Sequence, residues 1–346
     1  MNVRRLIPTT AVAGAVTLGL VTLSACGGAS DASGRSADGK LAVVASFYPM
    51  QYLAEQIGGD HVSVETLTAP GVEPHDLELK PRQIGELGDA DYILYLKGLQ
   101  PAVDEAIQQA GVEHTVDAAT LTSLEEHGTT VGHDHGAEDP GHGETGHEHQ
   151  ADEHGAEEEH KAEDEGHGHA SEAGGDPHIW LDPVKYAEVA KGVGASLEKA
   201  DPDNAADYKK NTDALVKKLG ALDTAYETGL RNSTTRTFIT THSAFGYLAE
   251  RYGLDQEGIT GIDPESEPSP ARMQELQTVA KKDKVSTVFF ETLASDKTAK
   301  TLAKDTGLRT DVLDPLEGIT DRSQGDDYIE VMQSNLAALK KALGAK

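Results

Sequence analysis

Residues 41–68 read LAVVASFYPMQYLAEQIGGDHVSVETLT. Leu41 to Phe47 has the composition of a short buried strand. The run from Tyr48 alternates at helical period and stops at Gly58-Gly59. Val62 to Thr68 is β-branched and reads as a second strand. Strand, helix, strand in so few residues predicts a parallel pair with a right-handed crossover, and so an α/β fold.

The rhythm continues on both sides. A Pro/Gly loop, APGVEPHDLELKP, leads to a short helix in PRQIGELGDA, with Pro81 near its start. A third strand (ADYILYL), a helix (PAVDEAIQQAG) and a fourth strand near HTVDAA complete one lobe. The same alternation returns later: strands at RTFITTH, EGITGI, STVFFE and RTDVLD, and helices after each, one of them capped by Ser295. Between the two sets, Pro183 to Lys199 is helical. After it, DPDNAADYKKNTDALVKKLGALDTAYETGL (201–230) carries Tyr208, Leu215, Leu219, Leu222, Tyr226 and Leu230 at spacings of three, four or seven. As one helix it would be about 45 Å long, enough to bridge two lobes; two helices broken at Gly220 is the alternative. The expected architecture is two lobes, each a roughly four-stranded parallel sheet flanked by helices. The N-terminal lobe covers 41–200, the linking helix 201–231 and the C-terminal lobe 232–346.

The first residues read as an export signal. Arg4 and Arg5 form a basic start, Leu6 to Leu23 is mostly apolar and uncharged, and Leu23-Ser24-Ala25-Cys26 follows. Cys26 is the single cysteine, so no internal disulfide is possible. It stands where a bacterial lipobox puts the residue that is lipidated after cleavage. Residues 1–25 are thus expected to be a lipoprotein signal peptide, exported by either the Sec or the twin-arginine route, and two acyl chains would anchor the product stably. Residues 26–40 are small and polar, a flexible tether.

From Leu124 to Asp176 the chain holds ten of its fifteen histidines, with seventeen Asp and Glu and one Lys, Lys161. Between Gly132 and Asp176 there is no Val, Ile, Leu, Met or aromatic residue. Such a segment has no apolar surface to bury against its ordering entropy, so 125–175 is expected to be a disordered insert. Imidazole is a common ligand for zinc and copper, and a His-rich tract reads as metal-binding. The formal charge of −29 owes more than half to this insert. There is no basic patch, which excludes nucleic acid as an expected partner.

Outside the insert, His75 lies in GVEPHDLELKP, His178 in DPHIWLDP, and His242 ends TFITTH. All three fall at or beyond strand ends, where parallel α/β sheets bind their ligands. His61 and His114 sit at strand starts, on the other side, and read as structural.

Together these segments resemble the metal-specific solute-binding proteins of ABC importers, the cluster A-I family of zinc and manganese receptors. The likeness covers Leu41 to the C-terminus and rests on SFYPMQYLAEQIGGDHVSV, GVEPHDLELKPRQI, DPHIWLDP, THSAFGYLAERYGL, GIDPESEPSPARMQEL and LDPLEGIT in that order. The resemblance implies two α/β lobes joined by one long rigid helix, with metal ligands at His75, His178 and His242. It places a fourth ligand in LDPLEGIT. Asp314 closes the last strand as such a carboxylate does in the family, and is favoured over Glu317. Some zinc members use a water instead, assisted by an acid from the first loop; here that acid would be Glu73, which Pro74 sets at an awkward angle. Three imidazoles and one carboxylate suit zinc, whereas Mn²⁺ prefers oxygen. Asp76, Asp176 and Asp182 are close enough in sequence to orient the imidazoles.

The expected function is therefore extracytoplasmic capture of Zn²⁺ between the lobes by a lipid-anchored receptor on the cell membrane, for delivery to ABC permease subunits. Nothing calls for an oligomer, so a monomer is expected. The insert would act as a low-affinity antenna for zinc. A surface metal buffer or adhesin built around the insert is the alternative. A zinc hydrolase is a second one, disfavoured because there is no H-E-x-x-H and no evident general base beside the histidines.

Overall fold

The computed structural model describes residues 39–127 and 175–346. The signal peptide, Cys26, nearly all of the tether and most of the His-rich insert lie outside the described residues. Among the described residues no helix is long and apolar enough to cross a membrane.

The first lobe alternates β1 (Leu41–Ala45), α1 (Tyr48–Gly58), β2 (Val62–Thr66), α2 (Pro81–Asp89), β3 (Tyr92–Tyr95), α3 (Pro101–Ala110) and β4 (Thr115–Asp117). Its sheet has the order β2-β1-β3-β4 and is parallel throughout. After the insert come α4 (Pro183–Ala200) and α5 (Ala205–Leu230). The second lobe contains β5 (Thr237–Thr240), α6 (Gly246–Tyr252), β6 (Asp255–Gly258), α7 (Pro270–Lys282), β7 (Thr287–Phe290), α8 (Lys297–Thr306), β8 (Arg309–Val312) and α9 (Tyr328–Leu343). Its sheet, β6-β5-β7-β8, repeats the first lobe's order and is again parallel. The α/β class and the two four-stranded sheets match the sequence expectation. Strand β6 begins two residues before EGITGI, and α8 starts at Lys297, after Ser295, with Asp296 at its N-cap.

Helix α5 runs unbroken through Gly220 and is about 39 Å long. Its buried positions, Tyr208, Thr212, Leu215, Leu219, Leu222, Tyr226 and Leu230, form one stripe at spacings of three and four. Near its start, Asn211 donates to the Ile57 carbonyl of α1, 3.0 Å away. Near its end, Tyr226 donates to the Met332 carbonyl of α9 at 2.7 Å. Gly194 of α4 lets Thr212 pack against it; a Cβ there would lie 2.2 Å from the Thr212 hydroxyl. One apolar cluster runs from Val43 and Met50 in the first lobe through α4 and α5 to Phe238, Phe289 and Val331 in the second. The lobes thus share a core, and a rotation between them would open it to water at roughly 25 cal/mol per Å² of apolar surface. Two smaller clusters lie on the outer faces of the sheets, under α2 and α3 and under α7 and α8.

Gly220 is exposed, and a Cβ there meets nothing within 4 Å. Gly220→Ala should therefore raise unfolding stability by about 1 kcal/mol in denaturant melts, because glycine inside a helix costs backbone entropy. A loss of stability would mean that the chain bends at this point.

Candidate metal centre

His75, His178, His242 and Glu317 each offer one ligand atom to a cluster whose members all lie within 4.8 Å of one another. His75 comes from the connection between β2 and α2, and His178 from the segment between β4 and α4. His242 follows β5 and Glu317 follows β8. Each lobe contributes two side chains, all from beyond the carboxyl ends of strands, as the parallel sheets require. His178, His242 and Glu317 are fully buried and the His75 side chain is 10% exposed.

The spacing matches the edges of a tetrahedral coordination shell. Glu317 Oε1 lies 3.2 Å from His178 Nε2, 3.2 Å from His242 Nε2 and 3.4 Å from His75 Nε2. Hydrogen bonds from nitrogen to oxygen cluster near ~2.9–3.0 Å, and three on a single oxygen would be unusual. The edges of a tetrahedron whose centre holds zinc at ~2.0–2.1 Å are about 3.3 Å. Glu317 Oε2 and His75 Nε2 have no hydrogen-bond partner although both are buried. The remaining nitrogens of two rings are held by carboxylates. His178 Nδ1 is 2.7 Å from Asp176 Oδ1, and His242 Nδ1 is 3.0 Å from Glu291 Oε1. With Nδ1–H donated to a carboxylate, each Nε2 lone pair faces the centre.

The local sequence fixes these positions. In DPHIWLDP, Asp176 Oδ1 also accepts the His178 backbone N–H at 2.9 Å. Trp180 Nε1 donates to the Pro315 carbonyl at 2.7 Å, tying the segment to the second lobe. Asp182 caps α4 through the Val184 N–H and pairs with Arg251 at 2.7 Å. Asp76 is exposed and has no such place.

Asp314, favoured from sequence as the fourth ligand, is not in the cluster. Its Oδ1 accepts the Leu316 N–H at 2.8 Å and its Oδ2 the Thr292 hydroxyl at 3.1 Å. Asn335 bonds both its backbone N–H and its carbonyl. Asp314 thus pins a turn in which Leu316 adopts a left-handed φ of 60°, and that turn swings Glu317 inward. The carboxylate that faces the imidazoles in the structure lies three residues on, at Glu317. Glu291 was also missed, being read as the last residue of a strand. It directly follows β7 and accepts from Thr241 Oγ1 at 2.6 Å as well as facing His242. Glu73 does reach the site despite Pro74, forming a second group with Glu291 and Glu317.

Buried charge sets the protonation states. Burial would push the Glu317 carboxyl up, but the three imidazoles outweigh it and hold it well below the usual range. Burial disfavours the charged forms of His178 and His242. The Asp176 and Glu317 carboxylates outweigh this at His178, and Glu291 and Glu317 at His242, so both rings lie above the ordinary value, His242 well above. Glu73 is pushed up to about 9, by burial and then by the Glu317 charge, and is neutral at pH 7. In the metal-free protein, imidazolium at His178 and His242 should therefore titrate above ~6.5 by NMR. In Glu317→Gln both midpoints should fall, since a carboxylate 3.2 Å from each Nε2 is gone. Unchanged midpoints would contradict this electrostatic account.

A family model described as the zinc-uptake complex component A, periplasmic, matches residues 43–342. The chain is 37% identical over 330 residues to the high-affinity zinc uptake system protein ZnuA of Bacillus subtilis, covering 94% of each. It is 36% identical over 313 residues to the zinc-binding lipoprotein AdcA of Streptococcus pneumoniae, which spans 89% of this chain but 56% of that longer relative. Among solved structures, the Zn(II)-bound ZnuA-like domain of S. pneumoniae AdcA superposes with a TM-score of 0.67 at 32% identity, over 88% of this chain and 99% of that one. With its two four-stranded parallel sheets and this match over residues 43–342, this chain belongs to the family of the periplasmic zinc-uptake complex component A.

Proposed function

We propose that the protein captures Zn²⁺ outside the cytoplasm between its two lobes and passes it to an ABC permease, with Cys26 carrying the lipid anchor and the protein acting as a monomer. The observation that carries this reading is the Glu317 oxygen held 3.2–3.4 Å from three imidazole nitrogens. His75, His178, His242 and Glu317 would be the ligands. Three nitrogens and one oxygen in a tetrahedron fit zinc better than manganese. With four protein ligands no position remains for a substrate, which favours a receptor over a hydrolase.

The charges make binding an exchange. Zn²⁺ brings two positive charges to a site whose carboxylates favour the protonated forms of His178 and His242. Binding therefore displaces protons rather than adding charge to a buried crevice. His75 is the least buried ligand and sits on a connection without helix or strand between β2 and α2, so entry and release run through its loop while the shared core stays closed.

Zinc titrations should release protons, seen as calorimetric heats that vary with buffer ionisation. Affinity should fall as pH drops through the raised His178 and His242 values. No proton release would count against the exchange. Asp176→Asn should weaken zinc by roughly 10–100-fold, the usual cost of losing an orienting carboxylate, and Glu317→Gln by more than that. Equal, small effects would remove Glu317 from the shell. Deleting 132–174 should leave the tight site and remove only weak binding; if tight binding vanished, the insert-centred metal buffer would replace this proposal.

A further inference from the structure

A second cluster stands at the neck of the insert. Glu125, His127 and Glu250 each offer a ligand atom within 4.8 Å of the others. His127 Nε2 is 2.6 Å from Glu250 Oε2 and 3.9 Å from Glu125 Oε2. Glu125 and His127 fold although they lie within the stretch 125–175 expected to be disordered. Tyr247 is the reason: its hydroxyl accepts the Glu125 N–H at 2.8 Å and donates to the Asp176 carbonyl at 2.8 Å, closing the two ends of the insert on α6.

Each side chain is held in a specific attitude. The His127 ring meets Tyr247 edge-on, with centroids 4.3 Å apart. It fits because residue 246 is glycine; a Cβ there would lie 2.3 Å from that of His127. Lys185 Nζ grips Glu125 Oε1 at 2.6 Å, which leaves Oε2 for a ligand. Asp176 is fully buried, and its Oδ2 lacks a hydrogen-bond partner while facing His127 Nδ1 at 3.3 Å. Its other oxygen orients His178. One buried carboxylate thus bonds His178 Nδ1 and faces His127 Nδ1 at 3.3 Å, and each ring presents Nε2 to acidic groups, one in the crevice and one at the neck. For His178 that ring belongs to a coordination shell, and the same logic applies to His127.

We propose that Glu125, His127 and Glu250 form a second divalent-cation site, distinct from the crevice, that binds zinc-like ions with two carboxylate oxygens, one imidazole nitrogen and water. The Glu250 side chain is 63% exposed and that of Glu125 39%, so the site exchanges with solvent and is weaker than the crevice. Its oxygen-rich ligand set separates it from any site made of insert histidines alone.

Full-length protein titrated with ¹¹³Cd²⁺ and followed by ¹¹³Cd NMR tests this. A nitrogen-rich resonance should fill first, from the crevice, followed by a distinct oxygen-rich one. Glu250→Gln, an exposed change, and His127→Ala should each abolish the second resonance and leave the first at full area, which also reports an intact fold. If the oxygen-rich resonance survives both substitutions or never appears, there is no neck site and His127 is only an ion-pair partner of Glu250. The first resonance reports the crevice independently, so failure of one site is not mistaken for failure of the other.

Discussion

A carboxylate with no access to water must be matched by positive charge. Glu317 is fully buried, and the crevice around it also holds Asp176 and Glu291. Left alone, such charges would cost several kcal/mol each. The structure meets this cost with imidazoles, which can carry the balancing charge as protons or yield their lone pairs to a cation. That single requirement accounts for the tautomers of His178 and His242 and for the raised and lowered pKa values around them. It also accounts for the neutral form of Glu73.

The frame keeps this balance in register. Four ligand atoms from two lobes must meet to within tenths of an ångström, so the lobes cannot swing freely. The α5 stripe and the apolar cluster that crosses from sheet to sheet supply the rigidity. Trp180 and Tyr328 tie the His178 segment to the second lobe through the Pro315 and Trp180 carbonyls. His75, the least buried of the four, sits on a connection without helix or strand.

Much of this was legible in the sequence. Short apolar and β-branched runs and period-3.6 stripes pointed to the two α/β lobes and the long helix, because burial of an element's apolar residues is a local property. The three histidines that the structure brings together were singled out because each lies at or beyond a strand end. What sequence could not give were positions decided by turns. Asp314 and Glu317 are three residues apart, and a left-handed residue at Leu316, held by Asp314 itself, decides which of them faces inward. Nothing in LDPLEGIT signals a left-handed leucine. Glu291 was hidden at the end of an apolar run, and the role of Glu73 depends on a loop path that Pro74 alone does not determine. His127 was counted with the insert, since its seat on Tyr247 comes from residues more than a hundred positions away.

The central claim is that one zinc ion replaces protons at the meeting point of three imidazoles and Glu317. Crystals of the zinc-loaded protein measured on both sides of the zinc absorption edge test it most directly. The account predicts a dominant anomalous peak between the lobes, about 2 Å from the Nε2 atoms of His75, His178 and His242 and from a Glu317 oxygen. A dominant peak elsewhere, or one in the crevice bonded to Asp314 with Glu317 turned away, would contradict it.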